Sequence, residues 1–151
     1  MPAAALAMAA LVACAPLGPA PSPPAASTSH APSPSSTPEA APTLVPDGTA
    51  TDNLPVFTAV TAQVWQSEQR VSGRAYIDAL VAAGFDRASM QLTEDTSTVG
   101  NPAESIQFSV QWAQECLIGQ VGPATGDPVT TVMAALPEGG CLVGETRPID
   151  W

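Results

Sequence analysis

The sequence predicts an α+β domain, with two N-terminal helices packed on a small antiparallel β-meander and one disulfide. Three observations lead there: apolar residues recur at helical spacing after Asp52, the pattern switches to strict alternation at Ile106, and Cys116 and Cys141 each open a Cys-Leu-aliphatic-Gly segment. Helices followed by a run of strands make the α+β order, in which helices cover one face of a sheet.

The first helix is expected from about Pro55 to Glu68. Phe57, Val60 and Val64 recur at intervals of three and four, with Leu54 and Thr61 extending the same face, and Pro55 suits a first turn. In the second, Tyr76, Ile77, Leu80 and Val81 share a face. Ser72 is placed to cap its start, and Gly84 to end it where a left-handed residue is needed.

Ile106, Phe108, Val110 and Trp112 alternate with Gln107, Ser109 and Gln111, which marks a strand with one buried and one wet face. An earlier strand is read across Ser89 to Thr93 from Met90 and Leu92, and a third over Cys116 to Val121 after the short Ala113-Gln114-Glu115 connection. Val129 to Leu136 reads equally as a strand or a short helix, because its apolar run fits both periods. Cys141 to Val143 is expected to be a final short strand. Trp65, Tyr76 and Trp112 are most simply core or half-buried residues, with sugar stacking as the rival role for the tryptophans.

Ahead of this domain, residues 53–151, stand two segments of other character. Residues Ala3 to Ala13 are an unbroken run of Ala, Leu, Met and Val, long enough for the apolar part of a signal peptide and too short to span a bilayer. The run ends in Leu11-Val12-Ala13-Cys14, which resembles the lipobox of bacterial lipoproteins. That resemblance implies cleavage after residue 13 and a diacylglyceryl group on the Cys14 thiol, two acyl chains being enough for stable anchoring where one is marginal. No Lys or Arg precedes the run, although a basic start is usual, as expected if the true start codon lies upstream. Residues 14–52 are then rich in Pro, Ala, Ser and Thr, as in Pro32-Ser33-Pro34-Ser35-Ser36-Thr37-Pro38. Such a stretch buries too little apolar surface to offset its ordering entropy and is expected to form a disordered stalk, with a mucin-like composition open to O-glycosylation. Its reach would be about 35 Å as a flexible coil and somewhat over 100 Å fully extended.

Four segments, Ile77-Asp78-Ala79-Leu80-Val81-Ala82-Ala83-Gly84-Phe85, Ser105-Ile106-Gln107-Phe108-Ser109-Val110, Cys116-Leu117-Ile118-Gly119-Gln120-Val121-Gly122 and Cys141-Leu142-Val143-Gly144, are together similar to an uncharacterised domain of predicted actinobacterial lipoproteins. The resemblance covers roughly the last hundred residues and implies an exported single domain, with no activity to carry over.

The chemistry that the sequence excludes is broader than what it offers. Four basic residues against fourteen acids, for a net charge of -10, leave no patch to neutralise phosphates, so nucleic-acid binding is not expected. The single histidine, His30, lies in the stalk, so the domain has no base for a Ser or Cys hydrolase triad. No Cys-X-X-Cys, zinc spacing or Gly-X-Ser-X-Gly elbow occurs, and Gly119 to Gly126 lacks the Lys of a phosphate-binding loop. Calcium binding by Glu94, Asp95 and Glu104 stays open, a solvated acidic surface being the default. A structural disulfide between Cys116 and Cys141 is expected, because matched flanking segments place both at strand starts and an exported protein keeps such bonds oxidised. No cofactor is expected. The readings left are a non-catalytic binding or envelope-interaction domain, held at the membrane through Cys14 and facing an envelope protein or a cell-wall polymer, and a carboxylate-based envelope enzyme.

Overall fold

The computed structural model describes residues 40–151. The apolar run, Cys14, His30 and the stalk as far as residue 39 lie outside the described residues. Helices α1 (Ala50–Trp65) and α2 (Gly73–Ala82) lead through a short 3₁₀ turn at Arg87–Ser89 into β1 (Met90–Leu92), β2 (Ile106–Trp112), β3 (Glu115–Val121) and β4 (Val129–Ala134). The sheet runs β1-β2-β3-β4 with every neighbouring pair antiparallel, so the fold is α+β with a meander, as its periodicities predict. The helices lie at residues 50–82, not at the N-terminus of the chain.

α1 begins ahead of the expected Pro55 because Thr49 and Asp52 form a capping box. The Thr49 hydroxyl accepts from Asp52 N, and the Asp52 carboxylate accepts from Thr49 N at 2.8 Å. Those bonds hold the Asp52 carboxyl below its ordinary range. The expected boundary after residue 52 therefore falls inside a helix. Pro55 sits within α1, where its missing N–H deprives only the exposed Thr51 of an intrahelical partner.

The chain before α1 is tied down by Asn53, which is fully buried. Its amide nitrogen donates to Val45 O at 2.9 Å and Thr49 O at 3.0 Å, and its oxygen accepts from Val45 N at 2.8 Å. Trp112 adds a bond from Nε1 to Gly48 O at 2.7 Å. Asn53→Ala removes three part-buried hydrogen bonds and leaves Val45 N–H without a partner, while Val45 O and Thr49 O keep the bonds from Gly48 N and Asn53 N, so urea unfolding should show a loss of about 2 kcal/mol, against less than about 0.5 for Thr51→Ala on the exposed face of the same helix. Equal effects of the two substitutions would show that the 44–49 segment is not anchored through Asn53.

α2 corrects a second expectation. Ser72 occupies the N-cap position yet makes no side-chain capping bond. The Asp95 carboxylate, from the loop after β1, accepts from Gly73 N at 2.9 Å instead. A charged acceptor at a helix start satisfies a free N–H and meets the positive end of the helix dipole, so a residue distant in sequence takes the local cap's place. At the other end Gly84 follows with φ 102°, the left-handed stop expected of it.

The pleat divides the sheet into two faces. Ile106, Phe108, Val110, Leu117 and Val121 point to the helices, where they join Phe57, Tyr76, Ile77, Leu80, Phe85, Met90 and Leu92 in one core. Its aromatics touch in a row. Tyr76 stacks on Phe108 at 4.7 Å, Phe108 lies 5.7 Å from Phe57, and Phe57 meets Phe85 edge-on at 6.1 Å, with Trp112 beyond. Such pairs contribute about 0.5–1.5 kcal/mol each beyond their burial. The opposite face carries Gln91, Gln107, Ser109 and Cys116 and is partly covered by the chain after β4.

There the expected strand at Cys141–Val143 is absent. The backbone N–H groups of Cys141 and Leu142 both donate to Gln91 Oε1, so a side chain takes the place of a ladder. The ambiguous stretch at Val129 resolves as β4, paired with β3 from Gln120↔Val129 to Glu115↔Ala134. Cys116 and Cys141 are bonded, both are buried, and they join the covering segment to the sheet. No helix among the described residues is long and apolar enough to cross a membrane.

Candidate ligand-binding cleft

At one end of the sheet three connections come together: the α1–α2 turn, the β1–β2 loop and the β3–β4 loop. Between them opens a half-enclosed cleft of about 340 Å³. Trp65, the last residue of α1, forms one wall with Arg70 and Val71; Asp95, Pro102 and Ala103 form the second; Ile106 lies at the base, with Gly122 and Pro123 closing the third side. The loops are held in place by Ala103 N to Asp95 O at 2.9 Å and Ala124 N to Glu104 O at 3.1 Å. The volume is at the small end for a ligand site, and the lining has the apolar character such sites share. Other depressions on the described surface, of about 370–470 Å³, are more open to solvent.

The polar groups of the cleft differ in what they have left to offer. Asp95 is committed through both oxygens, one to Gly73 N and the other to Arg147 Nη2 at 3.0 Å. Among the described residues Arg70 makes no ion pair, whereas Arg74 and Arg87 share Asp78 and Arg147 holds Asp95. Its guanidinium stands 5.9 Å from the Trp65 ring centroid, at the outer limit of a cation–π contact. Its backbone is held from the core side: Tyr76, fully buried and stacked on Phe108, donates its hydroxyl to Arg70 O at 2.9 Å. Burial pushes the Tyr76 phenol up to about 12, with Arg70 opposing weakly, so it remains a donor at any physiological pH.

The remaining arginines gather elsewhere. Trp151 donates Nε1 to Asp78 at 2.9 Å, accepts from Arg87 through its backbone oxygen at 2.8 Å, and has Arg74, Arg87 and Arg147 at 5.1–6.0 Å from its ring. Burial acts to raise the Asp78 carboxyl, but hydrogen bonds from Trp151, Arg74 and Arg87 outweigh it and hold the group below its ordinary value. This cluster fastens residues 147–151 over α2, and each of its charges is used.

The three acids considered for calcium do not converge. Asp95 is saturated, Glu94 lines a separate shallow depression with Glu145, and Glu104 contributes only its backbone carbonyl to the loop contacts named above. Among the described residues no group of three or more His, Cys, Asp or Glu side chains is arranged to hold a metal. Of the aromatics read as core, Tyr76 is, Trp112 is half-buried with its indole N–H bonded, and Trp65 is half-buried in the cleft wall. Nothing in the sequence sets Arg70 apart from the other three arginines. The pairing of Arg74 with Asp78 four residues on is a visible helical pattern, but only tertiary structure shows that Arg87 and Arg147 are also taken.

No curated protein and no solved structure matches this chain. Residues 61–145, which include α2, the whole sheet and most of the cleft, match a protein family described as a domain of unknown function (DUF6993), and the chain belongs to that family.

Proposed function

We propose that the chain is an exported lipoprotein of the kind predicted in actinobacteria, anchored by Cys14 on the outer face of the cell membrane, and that its folded domain is a non-catalytic binding module. The lipobox-like Leu11-Val12-Ala13-Cys14 and the Pro-rich stretch after it support the anchor and the stalk. The buried disulfide suits an oxidising compartment.

The observation that carries the binding role is the Trp65–Arg70 cleft. It combines an apolar body with one uncommitted charge, the composition of a recognition site. The Asp95 carboxylate is engaged as a helix cap and in an ion pair, and burial pushes the phenol behind Arg70 up to about 12, so the groups beside the cleft hold structure and leave Arg70 to meet a ligand. An envelope protein or a cell-wall polymer presents ligands within reach of a stalked domain.

Two measurements test the reading separately. Mass spectrometry of the native protein should find a mature chain beginning at a diacylglyceryl-modified Cys14; an unmodified N-terminus elsewhere overturns the anchor. A photo-crosslinking residue at Val71, exposed on the cleft wall, should capture one defined envelope component in intact cells, while the same residue at the exposed Val143, outside the cleft, should not. Equal capture from both positions overturns the binding role of the cleft. Turnover of a wall-derived substrate that is lost in Asp95→Asn would replace it with an enzyme.

A further inference from the structure

We infer that the Trp65–Arg70 cleft recognises an anionic amphiphile, a small molecule or terminal group with a carboxylate head and an apolar body, with Arg70 receiving the carboxylate. The inference rests on reading this cleft as a binding site. It adds the chemical class of the ligand.

The sign of the ligand's charge follows from which polar group is free. Asp95 also lines the cleft, but its charge is already paired with Arg147 and its other oxygen caps Gly73 N, so it attracts a cationic ligand less than a free carboxylate would. Arg70 has no carboxylate partner among the described residues, and its planar guanidinium presents donors in a fork that matches a carboxylate. The chain's net charge of -10 does not reverse this preference. Salt at physiological strength screens exposed charges beyond about 8 Å, so an anion at the cleft mouth responds chiefly to the nearest guanidinium.

The apolar walls decide the rest of the ligand. Trp65, Val71, Pro102, Ala103, Ile106 and Pro123 surround a volume that, at protein packing density, takes on the order of ten to fifteen non-hydrogen atoms. A hydrated inorganic anion would leave this surface unfilled, whereas a short aliphatic or aromatic acid covers it. Arg70 is also on a firm base, since its carbonyl is bonded to the buried Tyr76 hydroxyl. Less ordering is therefore required when a ligand arrives.

The test uses the full chain carrying Cys14→Ala, so that no acyl group competes for the cleft, with phenylbutyrate, phenylbutanol and phenylbutylamine as probes of equal body and different head. Binding is read from the NMR shift of the Trp65 indole N–H. Phenylbutyrate should bind with Kd on the order of 0.1–1 mM, the range expected for so few atoms, and about tenfold more tightly than the alcohol, with the amine weaker still. Arg70→Gln should lower the carboxylate to the level of the alcohol, Arg70→Lys should keep part of the preference, and Ala103→Leu should weaken all three by filling the cleft. Unchanged thermal unfolding of each variant shows that the fold is intact. Equal binding of acid and alcohol, or a preference that survives Arg70→Gln, overturns the anionic assignment and leaves an apolar binding cleft. Failure of all three probes to shift Trp65 overturns the inference, while the capture experiment at Val71 decides the binding reading on its own.

Discussion

Removal of the Cys116–Cys141 bond is expected to cost about 3 to 4 kcal/mol, the largest loss from any pair of side chains outside the aromatic core. The bond closes a loop with a sequence separation of 25, and loop-closure entropy for that length gives this magnitude at room temperature. Local packing adds to it. Cys116 is fully buried on β3, and Cys141 holds the covering segment where its N–H and that of Leu142 reach Gln91. A Cys116→Ala, Cys141→Ala double variant should melt on the order of 15 °C or more below the native protein, since a domain of this size loses several degrees per kcal/mol. It should also lose amide protection at Cys141 and Leu142 before the rest of the sheet opens. Because both sulfurs are buried, reductant at a concentration that does not unfold the protein should act slowly, with a rate that follows the opening of this segment. A double variant melting within a few degrees of the native protein would mean that β4 and the covering segment are held without the bond.

The elements that were legible in the sequence are those whose own periodicity matches their burial. β2 alternates so regularly because one face meets the helices and the other does not, and α2 shows a single apolar stripe because one side faces the core while Arg74 and Asp78 on another meet the polar Trp151 cluster. β4 was ambiguous for the same reason in reverse. It is an edge strand with little of it buried, and a mostly exposed strand imposes no strong alternation on its residues. The strand expected at Cys141 failed because an apolar Cys-Leu-Val run reports burial, not a hydrogen-bond partner, and Gln91 supplies that partner from fifty residues away in sequence. α1 starts earlier than Pro55 suggests because Thr49 and Asp52 form a Thr-X-X-Asp pattern that carries the capping-box chemistry.

The cleft was hidden for a different reason. Its residues come from three connections separated along the chain, and none belongs to a motif. What singles out Arg70 is that the other three arginines are engaged, and two of those engagements, Arg87 with Asp78 and Arg147 with Asp95, are tertiary. Likewise Asp95 reads as one more surface acid in sequence, whereas in the fold it caps a helix, pairs with an arginine and lines the cleft. Chemistry that depends on which charges are left over is legible only after all the pairs are known.

Gly119→Val is the single substitution expected to damage the core most. Gly119 lies in the middle of β3, opposite Phe108 on β2, on the face turned to the helices. A side chain there would stand among its neighbours Leu117 and Val121, but the Phe108 ring occupies the place: a Cβ on Gly119 would fall well inside contact distance of ring atoms Cε2 and Cζ. The ring has nowhere to go, being fully buried with Tyr76 stacked on it and Phe57 beside it. A glycine in a strand interior ordinarily costs roughly 0.5–1 kcal/mol, so alanine would be expected to stabilise this position if only backbone freedom mattered. Overpacking of a filled core costs about 1–3 kcal/mol and therefore prevails. Gly119→Ala should lose about 1–2 kcal/mol in urea unfolding and Gly119→Val 3 kcal/mol or more, to the limit of folding at all. The contact itself can be isolated. Phe108→Leu alone should destabilise by leaving a void, yet combined with Gly119→Ala it should lose at least about 1 kcal/mol less than the sum of the two, because the smaller side chain frees the space the new methyl needs. If Gly119→Ala proves as stable as the native chain, or if the two substitutions add without coupling, then Phe108 does not pack over Gly119 in solution.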